Sequence, residues 1–445
     1  MHRVLAIFAA VCLLAAYTGQ PLLAQTSAKA DICAAGDDSA VSAKQRVAAC
    51  TALIGEAKDD ALTAALVNRA TAYYYLNKMP QALADLDRAI ALDGKNARAF
   101  RERAESYRVV GKLDRALADA NDAVRLDPSD AQAFDVRGNV FNNNGQYERA
   151  ISDYKEGLRL DPNSAQLNLD LGVAYYFRGD YENAIKAYGE SIRINPKRAR
   201  VYTNRGAAYK KLGRTDRAIQ DESEAIRLDP GYPEYFDNRG LSYSENGDYD
   251  RAIADFDQAI RLKPEANFLT NRGDAYNEKG EYDRAIEDYN RALRLNPGFY
   301  LAYNNRGAAY RHKGDLDRAI ADYQQALRIN PRLDSAAENL AAVRQERDRR
   351  QLAGGGSAEP SFDCATAKRA VEKAICSDPD LVRLDRAIDD AYKAALAKLD
   401  RRGVARLRQQ QRAFLATRNK YFGRTDYHLK ERMEQRLLVL RRTVG

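Results

Sequence analysis

Seven arginines recur along this chain, Arg69, Arg103, Arg137, Arg205, Arg239, Arg272 and Arg306, and each is followed sixteen residues later by an aspartate: Asp85, Asp119, Asp153, Asp221, Asp255, Asp288 and Asp322. Two chemistries are open to such a series. A guanidinium can hold a carboxylate through two parallel hydrogen bonds, so each couple could be a partly buried bridge between paired or neighbouring helices. Alternatively, the arginines could form a ladder for an anionic ligand. The gap in the series favours the bridge: where an eighth couple is due, the chain has Leu171 and Ala187, so the two charges are lost together.

Little else in the chain is suited to covalent chemistry. Beyond the first 25 residues only His312 and His428 remain, no nucleophile motif or phosphate-binding loop occurs, and the carboxylates fall on recurring positions. The sequence therefore points away from an enzyme, with no catalytic residues, metal or cofactor. Met1 to Gln25 reads as a secretory signal, basic at His2 and Arg3 and then apolar to Ala16, with cleavage after Ala24 or after Ala30. Cys12 lies in that apolar run with no lipobox around it. A periplasmic or secreted location follows, with no transmembrane segment after signal removal and no nucleic-acid partner. Four cysteines then remain, and an oxidising compartment lets Cys33 pair with Cys50 and Cys364 with Cys376; free thiols are the alternative, and no His or Cys stands at metal-ligand spacing.

The elements that must position these residues are set by a period. From Gly94 onward one position recurs as Pro128, Pro162, Pro196, Pro230, Pro264, Pro297 and Pro331, which divides 63–333 into eight units starting at 63, 97, 131, 165, 199, 233, 266 and 300. Units this short cannot bury a core alone and must stack. Each reads as helix, turn, helix. The eighth position is small (Ala70, Ala104, Gly138, Gly172, Gly206, Gly240, Gly273, Gly307), and an alanine follows twelve residues later. Three residues beyond the small position stands an aromatic, Tyr73, Tyr107, Phe141, Tyr175, Tyr209, Tyr243, Tyr276 or Tyr310, expected as a core knob.

This constellation resembles the tetratricopeptide repeat (TPR). The resemblance implies an all-α fold, a right-handed TPR superhelix of eight helix-turn-helix repeats with capping helices, whose first helices line a concave groove that binds protein or peptide. The arginines stand where the family usually has a large apolar residue. A disulfide-closed half repeat over 31–62 and a helix over 334–352 would cap the two ends. The expected groove contacts are Asn68, Tyr74, Tyr75, Asn139, Asn142, Tyr176, Phe177, Asn204, Lys210, Asn238, Asn271, Asn305 and Arg311. Asparagine amides there could hydrogen-bond the backbone of an extended ligand. Glu234, Asp237, Asp274 and Glu278 add negative charge, and no full carboxylate clamp is present.

A Gly-rich linker over 353–360 ends the period, and 361–445 holds 20 Lys and Arg against 11 Asp and Glu, which accounts for the net charge of +8. Cys364, Glu372, Ile375, Cys376, Leu381, Leu384, Asp385 and Tyr392 resemble the N-terminal domain of LprI-type lysozyme inhibitors, a small helical exported module. That resemblance implies affinity for lysozyme or another peptidoglycan hydrolase. The basic stretch from Arg401 to Lys420 would repel a basic enzyme unless Asp378, Asp380, Asp385, Asp389 and Asp390 form a separate acidic face, and it suits anionic lipid, lipopolysaccharide or acidic wall polymer better. The sequence thus predicts an exported binding scaffold with an envelope-directed tail, or alternatively a regulator of a wall hydrolase.

Overall fold

The computed structural model describes residues 28–36, 40–354, 360–425 and 427–444, with helices and no strand among them. The expected signal segment, with Cys12 and the cleavage position at Ala24, lies outside the described residues, as do 355–359 of the linker. The chain forms two compact units, 1–263 and 264–445.

In the first unit a turn of helix at 28–34 is tied by the Cys33–Cys50 disulfide to helix Ala43–Ile54. The latter starts in a capping box, with Gln45 N donating to Ser42 Oγ at 3.3 Å and Ser42 N to Gln45 Oε1 at 2.9 Å. Six helix pairs follow: Asp59–Tyr75 with Met79–Leu92, Ala97–Val109 with Leu113–Leu126, Ala131–Asn143 with Tyr147–Leu160, Ala165–Arg178 with Tyr181–Ile194, Ala199–Lys211 with Thr215–Leu228, and Pro233–Glu245 with Tyr249–Leu262. The first of these helices begins at Asp59, ahead of position 63 where the period places it; Asp59 and Asp60 in its first turn favour that early start. The second unit holds Ala266–Glu278 with Tyr282–Leu295, Tyr300–His312 with Leu316–Ile329, helix Asp334–Gly354, and the tail helices Ala370–Ser377, Pro379–Lys398, Arg401–Tyr421 and Leu429–Val444.

The turn inside each pair needs one residue in the left-handed region. Seven repeats supply glycine there, Gly111 to Gly314, and the first supplies Asn77 at φ 56°. Within each unit the first helices of successive repeats meet one another, whereas the second helices meet first helices, so the first helices form the inner row.

The core bears out the expected aromatic knobs in part. Phe141, Tyr175 and Tyr276 are buried, whereas Tyr73, Tyr107, Tyr209, Tyr243 and Tyr310 are only half-buried. Of the second helices, the fully buried knobs stand at the twenty-fourth position: Leu86, Tyr154, Tyr188, Phe256, Tyr289 and Tyr323. Each ring lies against the eighth-position glycine of its own repeat; a Cβ on Gly172 would come within 2.5 Å of Tyr188, and one on Gly240 within 2.7 Å of Phe256. Where the eighth residue is Ala70 or Ala104, the facing residue shrinks to Leu86 or Ala120. In the fifth repeat Gly206 faces no ring but Glu222, which is 1% exposed.

In the tail, Val371, Ile375, Leu384, Ile388, Leu407, Met433 and Leu437 make a separate core, and Cys364 is bonded to Cys376.

Candidate functional site

The seven arginines each grip their aspartate side-on. Nε and Nη2 donate to the two carboxylate oxygens at 2.6 to 2.8 Å, from Arg69 with Asp85 to Arg306 with Asp322. The remaining nitrogen, Nη1, reaches back to the second helix of the preceding repeat: Arg103 to Asp87 at 2.8 Å, Arg137 to Asn121 at 3.4 Å, Arg239 to Ser223 at 3.0 Å and Arg306 to Asn290 at 2.5 Å. One guanidinium therefore ties three helices across two repeats. Most also lie over the half-buried tyrosine one turn on, as Arg239 lies 5.8 Å from the Tyr243 ring.

The fourth repeat replaces this whole arrangement. Leu171 and Ala187 are buried, and the third helix offers Lys155, whose ammonium lies 5.9 Å from the Tyr175 ring. Sequence reading found the loss of the couple and missed this third member. The signal was present, because the position of Lys155 is Asp87, Asn121, Ser223 and Asn290 in other repeats.

The arginines are thus occupied inside the fold, and attention moves to the inner row. Several residues expected there as ligand contacts have partners of their own. Tyr74 Oη donates to Glu105 at 2.9 Å, Asn139 Oδ1 accepts from Tyr154 at 3.0 Å, Lys210 Nζ lies 3.4 Å from Glu222, Asn305 donates to Asp274 at 2.8 Å and Arg311 to Glu346 at 2.9 Å. Asn68, Asn204, Asn238 and Asn271 are half-buried. Tyr75 and Phe177 are 53% and 60% exposed. Asp237, expected as groove charge, is buried, and Glu234 Oε2 is closed off from solvent.

In the first unit the inner row opens into a pocket lined by Arg108, Leu113, Asn142, Asn143, Tyr147 and Phe177. Phe177 stacks on Tyr147, rings 6.1 Å apart, and Tyr176 meets Phe177 edge-on at 5.7 Å. Asn142 Oδ1 is buried beside this stack and accepts no hydrogen bond. Arg108 is held by Glu105 at 2.7 and 2.6 Å, so its charge is spent. The pocket offers an apolar ledge and one unserved acceptor.

Four acids of the repeats, Glu222, Asp274, Asp135 and Asp170, have carboxyls pushed up by burial. Glu222 rises to about 7, its burial opposed by Lys210 and Ser242. Asp274 rises to about 6 despite the Tyr289 hydroxyl and Asn305 amide donating to it. Asp135 rises well above the usual carboxylate range, first by burial and then by Asp170 beside it. Among the described residues no group of three or more His, Cys, Asp or Glu is placed to hold a metal ion.

Most of the tail aspartates expected to form an acidic face are taken up within the domain, while Asp390, 3.7 Å from Arg386, stays exposed. Asp385 is buried, accepting from Arg418 at 3.2 Å and from Ser361 N at 2.9 Å. Asp380 meets Lys430 at 2.6 Å, Asp389 meets Lys393 at 2.7 Å, and Asp378 caps helix Pro379–Lys398. Basic groups on helix Arg401–Tyr421, such as Arg401 and Arg402, stay exposed. No described helix is long and apolar enough to cross a membrane.

Family models described as tetratricopeptide or TPR repeats match residues 67–131, 138–177, 174–213, 199–232, 238–298 and 271–334, together more than half of the chain. One described as lysozyme inhibitor LprI matches 363–441. No curated protein matches. Similar solved structures include the APC/C hetero-tetramer Cut9-Hcn1 (20% identity, 71% of this chain and 62% of that chain, TM-score 0.47). They also include MamA (28%, 36% and 95%, 0.34) and YrrB, a TPR protein with an unusual peptide-binding site (24%, 44% and 97%, 0.36). The chain spans 62% of the length of the first of these.

Proposed function

Since the chain belongs to the tetratricopeptide-repeat family and carries an LprI-type domain at its C-terminus, we propose that it is an exported scaffold. It holds an extended segment of a partner protein along the first-helix row, while the basic tail engages the cell envelope or wall. The observation that carries this reading is the pocket of the inner row, where the buried, unserved Asn142 acceptor adjoins the exposed Phe177 and Tyr147 stack. A buried acceptor without a partner costs roughly 1–3 kcal/mol, which a backbone amide of a bound segment would recover. The Arg and Asp couples are structural in this reading, and Asn68, Asn142, Asn204, Asn238 and Asn271 are ligand contacts.

The test is photocrosslinking in the producing cell from residues placed at Tyr75, Asn271 and, as an outer control, Arg125. Capture of one partner from Tyr75 and Asn271 and not from Arg125 is the expected result. Equal capture of abundant proteins from all three would end the scaffold reading.

A second reading has its own support in the LprI match, which spans nearly the whole tail: the tail inhibits lysozyme or another peptidoglycan hydrolase. Asp385, Asp380 and Asp389 are paired with Arg418, Lys430 and Lys393 and so offer little charge to a basic enzyme, which favours the envelope as the target. Hydrolysis of cell walls by several lysozymes, unchanged by micromolar full-length protein, would remove the inhibitor reading.

A further inference from the structure

Most acids packed inside the first unit's helix pairs are held by cations. Five aspartates of the series have their arginines, Glu105 has Arg108, Asp130 has Arg101 and Glu222 has Lys210. Asp135, on helix Ala131–Asn143, instead lies beside another acid, Asp170 on helix Ala165–Arg178, and the two influence one another's ionisation. No Lys or Arg nitrogen lies within ion-pair distance of either. Gln166 Nε2 donates to Asp170 at 2.5 Å and itself accepts from Arg198 at 2.7 Å, so the nearest guanidinium stands one residue away. Asp135 Oδ1 is closed off from solvent and has no partner, and both residues are half-buried on first helices.

We propose that Asp135 and Asp170 are the receptor for a cationic side chain of the bound segment, and that the partner presents a lysine or arginine close to an aromatic or large apolar residue. The inference rests on the scaffold reading and names the chemistry of its ligand. Asp135, Asn139 and Asn142 follow one another along a single face of their helix, and the two ends of that stripe are about 10 Å apart. That span is about three residues of extended chain. A basic residue over the carboxyls thus places a neighbour on the Phe177 and Tyr147 ledge. An ammonium or guanidinium between two carboxylates supplies the opposite charge that these two acids lack.

The binding step has a proton balance. In the free protein burial first, and then the neighbouring Asp170, push the Asp135 carboxyl well above the usual carboxylate range, and burial raises Asp170; Glu105 and Arg108 face them from helix Ala97–Val109, Tyr154 from helix Tyr147–Leu160, and Arg198 from beyond Gln166. An incoming cation favours the ionised carboxyls, and a proton held there leaves to the buffer. Affinity for a basic segment therefore rises with pH.

The experiment uses full-length protein and three labelled nonapeptides in which a lysine, a norleucine or a glutamate stands three residues before a phenylalanine in a glycine background, read by fluorescence polarisation at pH 5.5 and pH 8. The lysine peptide is expected to bind at least tenfold more tightly than the other two at pH 8, with a smaller preference at pH 5.5. D135N/D170N, its fold checked by circular dichroism, is expected to lose the preference and keep the binding that F177A removes. Equal affinity for the three peptides, no binding by any of them, or an undiminished preference in D135N/D170N overturns the inference. Crosslinking from Tyr75 and Asn271 judges the scaffold reading separately, so failure of one is distinguishable from failure of the other.

Discussion

Gly273 lies so close beneath Tyr289 that a Cβ there would meet ring atom Cε1 at 2.7 Å, and the same relation joins Gly307 to Tyr323 at 2.9 Å. Tyr289 is 1% exposed and cannot give way without moving helix Tyr282–Leu295. The glycine is therefore a packing requirement, since its φ is ordinary and its helix would prefer alanine.

G273A should lower stability in urea unfolding by roughly 1–3 kcal/mol through overpacking, despite a helix-propensity gain of about 1 kcal/mol. G273A combined with Y289L, the pairing of Ala70 and Leu86 in the first repeat, should recover most of the loss. A G273A protein as stable as the parent would contradict this account of the interface.

The Arg239 and Asp255 couple yields a second prediction. Their side chains are 21% and 9% exposed, so removing one partner strands a largely desolvated charge. D255A should cost toward the lower end of roughly 3–5 kcal/mol. R239L/D255A, which copies Leu171 and Ala187, should be clearly more stable than D255A. A double-mutant cycle in urea reads the coupling, and additive losses would show that the couple contributes nothing as a pair.

Glu222 makes stability depend on pH. Its folded carboxyl titrates near 7 against an ordinary value of 4.5, so the folded state binds the proton more tightly than the unfolded chain. That contribution is present in full below pH 4.5 and is lost as pH rises to 7, by an amount on the order of 3 kcal/mol. E222Q should flatten this slope of the unfolding free energy between pH 4.5 and 7. An unchanged slope would place the titration elsewhere.

In the tail, Asp385 joins the start of the domain at Ser361 to Arg418 on helix Arg401–Tyr421. D385A leaves Arg418, 5% exposed, without its carboxylate and should destabilise the protein by roughly 3–5 kcal/mol. Protease cleavage within 361–445 should quicken at the same time. Resistance equal to the parent would show that the Cys364–Cys376 disulfide and the apolar core suffice.

The repeats were legible because their spacing is a direct consequence of stacking: Gly, Ala and closing Pro recur at positions that geometry fixes. The Arg and Asp relation was legible because both residues vanish together at Leu171 and Ala187. The third partner went unseen, since Asp87, Asn121, Ser223 and Asn290 share only the ability to accept a hydrogen bond and differ in name. The buried rings were missed for another reason: the twenty-fourth position reads Leu86, Ala120, Tyr154 and Glu222, and only the size of the facing eighth residue gives that variety a pattern. Along the inner row the identities of Tyr74, Asn139 and Arg311 were visible, but their occupation by Glu105, Tyr154 and Glu346 depends on helices a full repeat away or more than ten residues off. The proximity of Asp135 and Asp170 likewise exists only once two repeats are stacked.

The loss of the ion couple at Leu171 has a kinetic consequence. Phe141, Ile151, Tyr154, Leu167, Leu169, Leu171, Tyr175 and Tyr188 form one continuous apolar cluster across the third and fourth repeats, where other neighbours are joined through desolvated ions. Apolar surface collapses without first stripping charges of water, and in a solenoid folding can begin at any repeat and spread outward. The third and fourth repeats are then the nucleus from which the first unit grows, and in pulse-labelled hydrogen exchange their amides become protected before those of the second and sixth.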